Sequence, residues 1–216
     1  MSRSEAVVIA LFLSVASAGC VADADDDSVE GISTSQDELK IYKNLIVSGE
    51  FDDGDNFVAP SRVSPTNPRG QWHVDTTSLS NGGGDFAFPR HGDHGRVLAV
   101  TGGPAVGLEI GQVVPIIATH PYYALEFKGG RPNEGDTDMT VTVTWVNADR
   151  EIMRNFFNEP RRKVVKVKST GFPARHSVLV SPPRAAAYAI VTIHANPNSP
   201  RTLFEDMRFG RQVLSQ

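Results

Sequence analysis

Cysteine is almost absent from this 216-residue chain, which has only Cys20. No disulfide can therefore form within the chain, and the fold has to be held by buried apolar surface and hydrogen bonds. The apolar run at residues 6–18 is shorter than the ~20 residues that a membrane-spanning helix needs. The length suits one domain with additional segments, because domains cluster near ~100–200 residues.

A concentrated basic face is also lacking. The formal net charge is −4. Residues 1–20 are neutral, and residues 21–38 contain seven acidic and no basic side chains, so residues 39–216 carry +3. Nucleic-acid binding needs a basic patch or stripe. The one dense basic spot, residues 161–163, is interpreted as the solvated start of a strand, and we predict no nucleic-acid partner.

Catalytic motifs are missing as well. The sequence has no G-x-S-x-G elbow, no H-E-x-x-H pair and no cysteine nucleophile besides Cys20. The acidic residues cluster in turns and at the chain ends, whereas a glycosidase places two carboxylates on either side of a cleft. His91 and His94 lack the three or four converging ligands that a transition-metal site needs. We therefore predict a protein that is not an enzyme and has no catalytic residues.

The N-terminus has the pattern of an export signal. Residues 6–18 fit the apolar region of a secretory signal, and the small residues before Cys20 fit a cleavage site. The segment 17–20 resembles the lipobox of bacterial lipoproteins, although Ser17 stands where an aliphatic residue is usual. We predict a signal peptide at 1–19, acylation of Cys20 and membrane attachment at the bacterial cell envelope through the lipid. The alternative is simple cleavage and secretion.

Residues 20–40 are predicted to be a disordered acidic tether, because they hold too little apolar surface to offset the entropy of ordering. Residues 41–213 contain short alternating runs separated by Gly, Pro and Asn, which is typical of an all-β sandwich or barrel. The clearest strand is residues 139–145, where Met, Val and Trp alternate with Thr. This alternation predicts a buried Trp145, and Trp72 is expected to fill the core as well.

The two ends of this domain each combine a short apolar strand with acidic residues, at 44–54 and at 203–209. Strands from opposite ends of a sequence are often neighbours in an antiparallel sandwich. We therefore expect the carboxylates of the two ends to converge at the sandwich edge.

Six short motifs follow one another in order, at residues 44–52, 95–100, 112–114, 123–129, 181–186 and 205–209. Together they resemble the galactose-binding-like jelly roll, in particular the carbohydrate-binding modules that accompany bacterial polysaccharide hydrolases. The resemblance covers residues 42–211. It implies an antiparallel β-sandwich that binds a glycan and catalyses nothing. The sequence shows no hydrolase domain, so a structural or adhesive surface protein that binds protein partners and no small ligand remains the alternative.

The resemblance also implies a structural calcium ion at the seam between the first and last strands. Asp52 and Asp206 match the family's carboxylates, and a backbone oxygen near Gly49 is the third ligand. Calcium takes six to eight oxygens. Asp52 is shorter than the usual Glu, and Ser48 replaces the usual Asn. The alternative is that both acids are surface turn residues that cap strand ends.

Strand parity predicts the glycan-binding residues. Tyr123, Leu125 and Phe127 read as core, as do Val191 and Ile193, so their neighbours point outward. The outward candidates are Tyr122, Glu126, Thr142, Thr144, Tyr188 and His194. We expect them to line one concave surface, where rings stack on sugars and polar groups bind hydroxyls. A site in the loops at one end of the sandwich and an ordinary solvated sheet face are the alternatives.

Overall fold

The computed structural model describes residues 41–52, 54, 56–59, 61–75, 84–117, 119–133, 135–168 and 171–212. The predicted signal peptide, the tether and Cys20 lie outside the described residues. Among those residues, none belongs to a helix with the length and apolar character needed to cross a bilayer. The helical element described is a single 3-10 turn at Gly92–His94.

Eleven strands are found in the described ranges. They are β1 (Phe57–Val58), β2 (Trp72–Asp75), β3 (Asp85–Ala87), β4 (Leu98–Thr101), β5 (Leu108–Pro115), β6 (Tyr123–Gly130), β7 (Met139–Asn147), β8 (Arg162–Lys166), β9 (Ala174–Val180), β10 (Ala186–Ala195) and β11 (Thr202–Arg211).

The strands form two sheets. The six-stranded sheet has the order β1-β2-β5-β10-β7-β8, and the five-stranded sheet has the order β3-β4-β11-β6-β9. The short β1–β2 pair is parallel, and the other strand pairs are antiparallel. This confirms the predicted antiparallel jelly-roll sandwich.

The core lies between the two sheets because each strand turns alternate side chains inward. In β7 the inward set is Met139, Val141, Val143 and Trp145, each at most 4% exposed. The five-stranded sheet contributes a comparable set, which is Leu98, Val100, Tyr123, Leu125, Phe127, Phe204 and Phe209. Trp72 is fully buried in the same cluster, so the predicted burial of both tryptophans is confirmed.

The two ends of the domain are neighbours, as the sequence predicts. Leu45 N donates to Phe209 O at 2.7 Å, and Met207 N donates to Gly49 O at 2.8 Å. Asn44 Oδ1 accepts a further hydrogen bond from Phe209 N at 3.0 Å. The two segments approach so closely that a Cβ added to Gly49 would lie 2.0 Å from Met207 O, which explains why a glycine stands there.

Candidate functional site

Four titratable side chains and one threonine form a lateral row on the outer face of the six-stranded sheet. Asp75 lies opposite Glu109, Glu109 lies opposite His194, and His194 lies opposite Thr140. Thr140 in turn lies opposite Lys166. We call these five residues the charged row. Because neighbouring strands are about 4.8 Å apart, the row crosses roughly 19 Å of sheet surface.

Glu109 lies between Asp75 and His194 in the charged row and is partly buried. Burial raises the pKa of its carboxyl group, with His194 and Arg62 opposing the change and the Asp75 carboxylate adding to it. His194 Nε2 lies 3.1 Å from Asn196 Oδ1, a contact that helps to orient the imidazole in the middle of the row.

A second row lies beside the charged row and contains a glycine, a histidine and two threonines. Gly111 is opposite His73 on one side and Thr192 on the other, and Thr192 is opposite Thr142. Ser61 Oγ lies 2.8 Å from His73 Nδ1 and so fastens the segment that precedes β2 to this face. Thr142 and Thr192 are only 9% and 7% exposed. The Val63 side chain lies over the neighbouring Gly111, since a Cβ added there would be 2.7 Å from Val63 Cγ1.

The far end of the same face is apolar and covered. Val113, Val146 and Ile190 form a second buried cluster, against which Tyr188 packs. The Arg150 and Arg69 guanidinium carbons lie 3.8 and 4.8 Å from the centre of the Tyr188 ring. Such cation–π contacts are favourable, and Arg69 Nη2 also donates to the Tyr188 hydroxyl at 2.9 Å. Tyr188 therefore supports the loops over this face.

The prediction that all six outward candidates line one surface is wrong. Thr142, Thr144, Tyr188 and His194 belong to β7 and β10 of the six-stranded sheet, whereas Glu126 belongs to β6 of the five-stranded sheet. The outer faces of the two sheets point in opposite directions. Glu126 is also only 5% exposed, and Tyr122, which precedes β6, is 41% exposed. The structure therefore brings together the four candidates on β7 and β10.

Sequence reasoning missed the carboxylates of the charged row. Glu109 was not among the candidates, because the motif identified in this part of the sequence begins at Gln112, whereas β5 begins at Leu108. The alternation of buried Leu108 and Ile110 around Glu109 was the signal that would have found it. Asp75, which ends β2, was also not among the predicted binding residues.

The seam with the predicted calcium ligands holds a cationic side chain. Lys128 Nζ lies 2.5 Å from Asp206 Oδ2 and 3.9 Å from Glu205 Oε2. The Gly49 oxygen already accepts from Met207 N, and Asp52 is exposed. Within the described ranges, no three His, Cys, Asp or Glu side chains are grouped to hold a metal ion. The described residues thus fit calcium only in part, and calcium stays a prediction.

No family model and no curated protein matches the chain. Among solved structures, a putative sugar binding protein from Bacteroides thetaiotaomicron superposes with a TM-score of 0.57 at 13% identity, over 79% of this chain and 100% of that one. The enzymatically active domain of tailspike protein 4 from bacteriophage CBA120 has a TM-score of 0.52 at 9% identity. The match covers 78% of this chain and only 21% of the tailspike chain. At these identities the similarity shows a shared fold.

Proposed function

We propose that this domain is a non-catalytic carbohydrate-binding domain and that it holds its glycan on the outer face of the six-stranded sheet. The observation that carries the proposal is the charged row, in which Asp75, Glu109 and His194 lie side by side on three adjacent strands. Carboxylates and an imidazole offer acceptors and donors for sugar hydroxyls. The Thr142 and Thr192 hydroxyls lie on the next row.

The fold supports the proposal at the level of architecture. The similar Bacteroides structure is described as a putative sugar binding protein, and this chain spans its full length. A rigid sheet is also a suitable scaffold, because a site on regular strands is held more precisely than a site on loops. The glycan-binding residues of this proposal are Asp75, Glu109, Thr142, Thr192 and His194.

The cellular setting is part of the same proposal. The predicted signal peptide and the predicted acylation of Cys20 would place the domain at the bacterial cell envelope, exported and attached through lipid. The acidic residues 20–40 would then act as a spacer between the lipid and the sandwich.

A structural or adhesive role without a small ligand is the second candidate, and one observation favours it. Tyr188 is one of the two tyrosines that sequence parity offered for stacking on a sugar, and two guanidinium groups lie over its ring. A sugar would have to bind through the charged row, without stacking on the Tyr188 ring. Glycan binding and adhesion therefore make different predictions for substitutions in the charged row.

The test is a glycan-array screen of the purified chain, followed by affinity measurements on the best oligosaccharide. Glu109→Gln replaces an acceptor oxygen with an amide NH₂ at nearly constant size. Hydrogen bonds to charged groups contribute about 1.5–3 kcal/mol, so the affinity should fall about tenfold or more. The melting temperature should stay close to that of the wild type.

Glu126→Gln is the matched control, because Glu126 is a carboxylate on the other sheet. It should leave glycan affinity unchanged. If Glu126→Gln weakens binding and Glu109→Gln does not, the site is on the five-stranded sheet and the assignment is wrong. If the array shows no bound glycan, the adhesive or structural role replaces the carbohydrate-binding one.

A further inference from the structure

Two phenylalanines are exposed at the tip of the connection between β7 and β8. Phe156 is 92% exposed and Phe157 is 74% exposed, the first and third highest values among the exposed large hydrophobic residues described. Isolated exposed apolar residues are common, but a contiguous pair at a protruding tip marks an interaction site. We call residues 155–159 the Phe tip.

Hydrogen bonds within the Phe tip fix the conformation of the turn. Asn155 Oδ1 accepts hydrogen bonds from Phe157 N at 3.0 Å and from Glu159 N at 2.9 Å. Asn155 N donates to Glu159 O at 2.9 Å, and Asn158 N donates to Asn155 O at 3.0 Å. Arg154 Nη1 donates to Asn158 O at 2.6 Å. The turn therefore holds both rings in the open through its own hydrogen bonds.

Because most backbone N–H groups of the Phe tip are hydrogen-bonded within the turn, the tip can move from water into an apolar medium at low cost. Unpaired N–H and C=O groups are expensive to remove from water, and four N–H groups of this turn are already bonded within it. The two rings meet edge to face, with centroids 5.6 Å apart and planes at 85°. They form a knob with two separate ring planes, and a sugar ring would find no single flat platform across them.

The charge around the knob is basic. Residues 149–163 contain five basic and three acidic side chains. Two of the acids already accept hydrogen bonds within turns, because Asn147 Nδ2 donates to Glu151 Oε2 and Asn155 Nδ2 donates to Glu159 Oε2. Arg154 and Arg162 are both exposed. Basic residues near an anionic membrane surface contribute to binding, so the charge complements anionic lipid.

We propose that the Phe tip is a membrane-contact site, which inserts Phe156 and Phe157 into the interface of an anionic lipid bilayer while the flanking arginines meet the headgroups. Apolar side chains on one part of a surface, with basic residues beside them, are the general pattern of interfacial membrane binding. The proposal gives a role to Arg162, the exposed residue of the basic cluster at 161–163, and does not depend on glycan binding.

The first experiment is flotation with vesicles of phosphatidylcholine and phosphatidylglycerol, using the full chain with Cys20→Ala in every sample so that no acyl group contributes. The double variant Phe156→Ser/Phe157→Ser should bind at least about tenfold more weakly, because two rings no longer leave water. Tyr42→Ser, at another aromatic that is 75% exposed, is the matched control and should bind like the parent chain. Arg162→Gln should reduce the preference of the chain for the anionic vesicles over vesicles of pure phosphatidylcholine.

The second experiment locates the tip directly. Trp72 and Trp145 are buried, so we expect neither to respond to lipid. Phe156→Trp adds an exposed indole whose fluorescence can report contact with lipid. Its fluorescence should shift to the blue on anionic vesicles and be quenched by brominated lipid. An unquenched indole, or equal flotation of the parent and the double variant, would overturn the proposal. So would a lipid-free self-association of the chain that depends on the Phe tip, which would assign the tip to a second copy instead.

Discussion

We predict that His176 makes the stability of this domain sensitive to acid. The residue lies in β9 opposite Phe127 of β6 and is 1% exposed. Its ring is nearly parallel to the Phe127 ring, with centroids 4.6 Å apart and planes at 13°. His176 Nε2 lies 3.3 Å from Gly129 O. The imidazole is thus packed in the core, where a positive charge would be poorly solvated.

Burial lowers the pKa of His176 from 6.5 to about 4, with the Gly129 carbonyl opposing the change and Lys168 adding to it. Because the pKa of His176 is lower in the folded state than in the unfolded state, the unfolded state binds the proton first as the pH falls. The free energy of unfolding therefore has its full value, as far as His176 is concerned, above about pH 6.5, and it decreases as the pH falls towards 4. A difference of roughly 2.5 pKa units corresponds to about 3 kcal/mol, at about 1.36 kcal/mol per unit. About 2 kcal/mol of it should be lost by pH 5.

Urea unfolding at pH 8 and pH 5 measures this contribution. The wild type should lose about 2 kcal/mol more stability between the two pH values than His176→Phe, which keeps the ring stacking but cannot be protonated. Carboxylates titrate in both proteins, so their effect cancels in the comparison. If the two proteins lose the same free energy of unfolding, His176 is not protonated on unfolding in this range and the reasoning is refuted.

Two further predictions concern the seam and the N-terminus. If calcium binds at the seam, chelation should lower the melting temperature, because a ligand at a hundredfold excess over Kd stabilises the fold by about 2.7 kcal/mol. Asp206→Asn should remove the difference between the chelated and the calcium-loaded samples. If a chelator has no effect, Lys128 is the cation that pairs with the Asp206 carboxylate. When expressed with its signal in a bacterium, the chain should partition with membranes, and Cys20→Ala should release it. Equal partitioning of both forms would contradict acylation.

The fold was predictable because its main signals are local or lie at the chain ends. Residues 139–145 alternate strictly, so β7 and the burial of Trp145 follow from side-chain parity. The contact of the two ends followed from their matching apolar and acidic patterns and is confirmed by the hydrogen bond from Leu45 N to Phe209 O. Both features depend on one strand or on one topological rule, and neither requires the full pairing order.

The site was harder to predict because parity separates inside from outside but does not assign a strand to a sheet. Glu126 and Thr142 both point away from the core, yet they lie in different sheets. That assignment depends on pairings between distant segments, such as β5 with β10. The exposed Phe156 and Phe157 escaped notice for a related reason, since their exposure depends on the turn that Asn155 builds.

The most direct test of the central claim is to map a bound oligosaccharide by amide chemical shifts in NMR. Using the best ligand from the glycan array, the perturbed amides should lie on β2, β5, β10 and β7, around Glu109 and His194. Perturbations on β6, β9 and β11, around Glu126, would contradict the claim that the glycan binds the outer face of the six-stranded sheet.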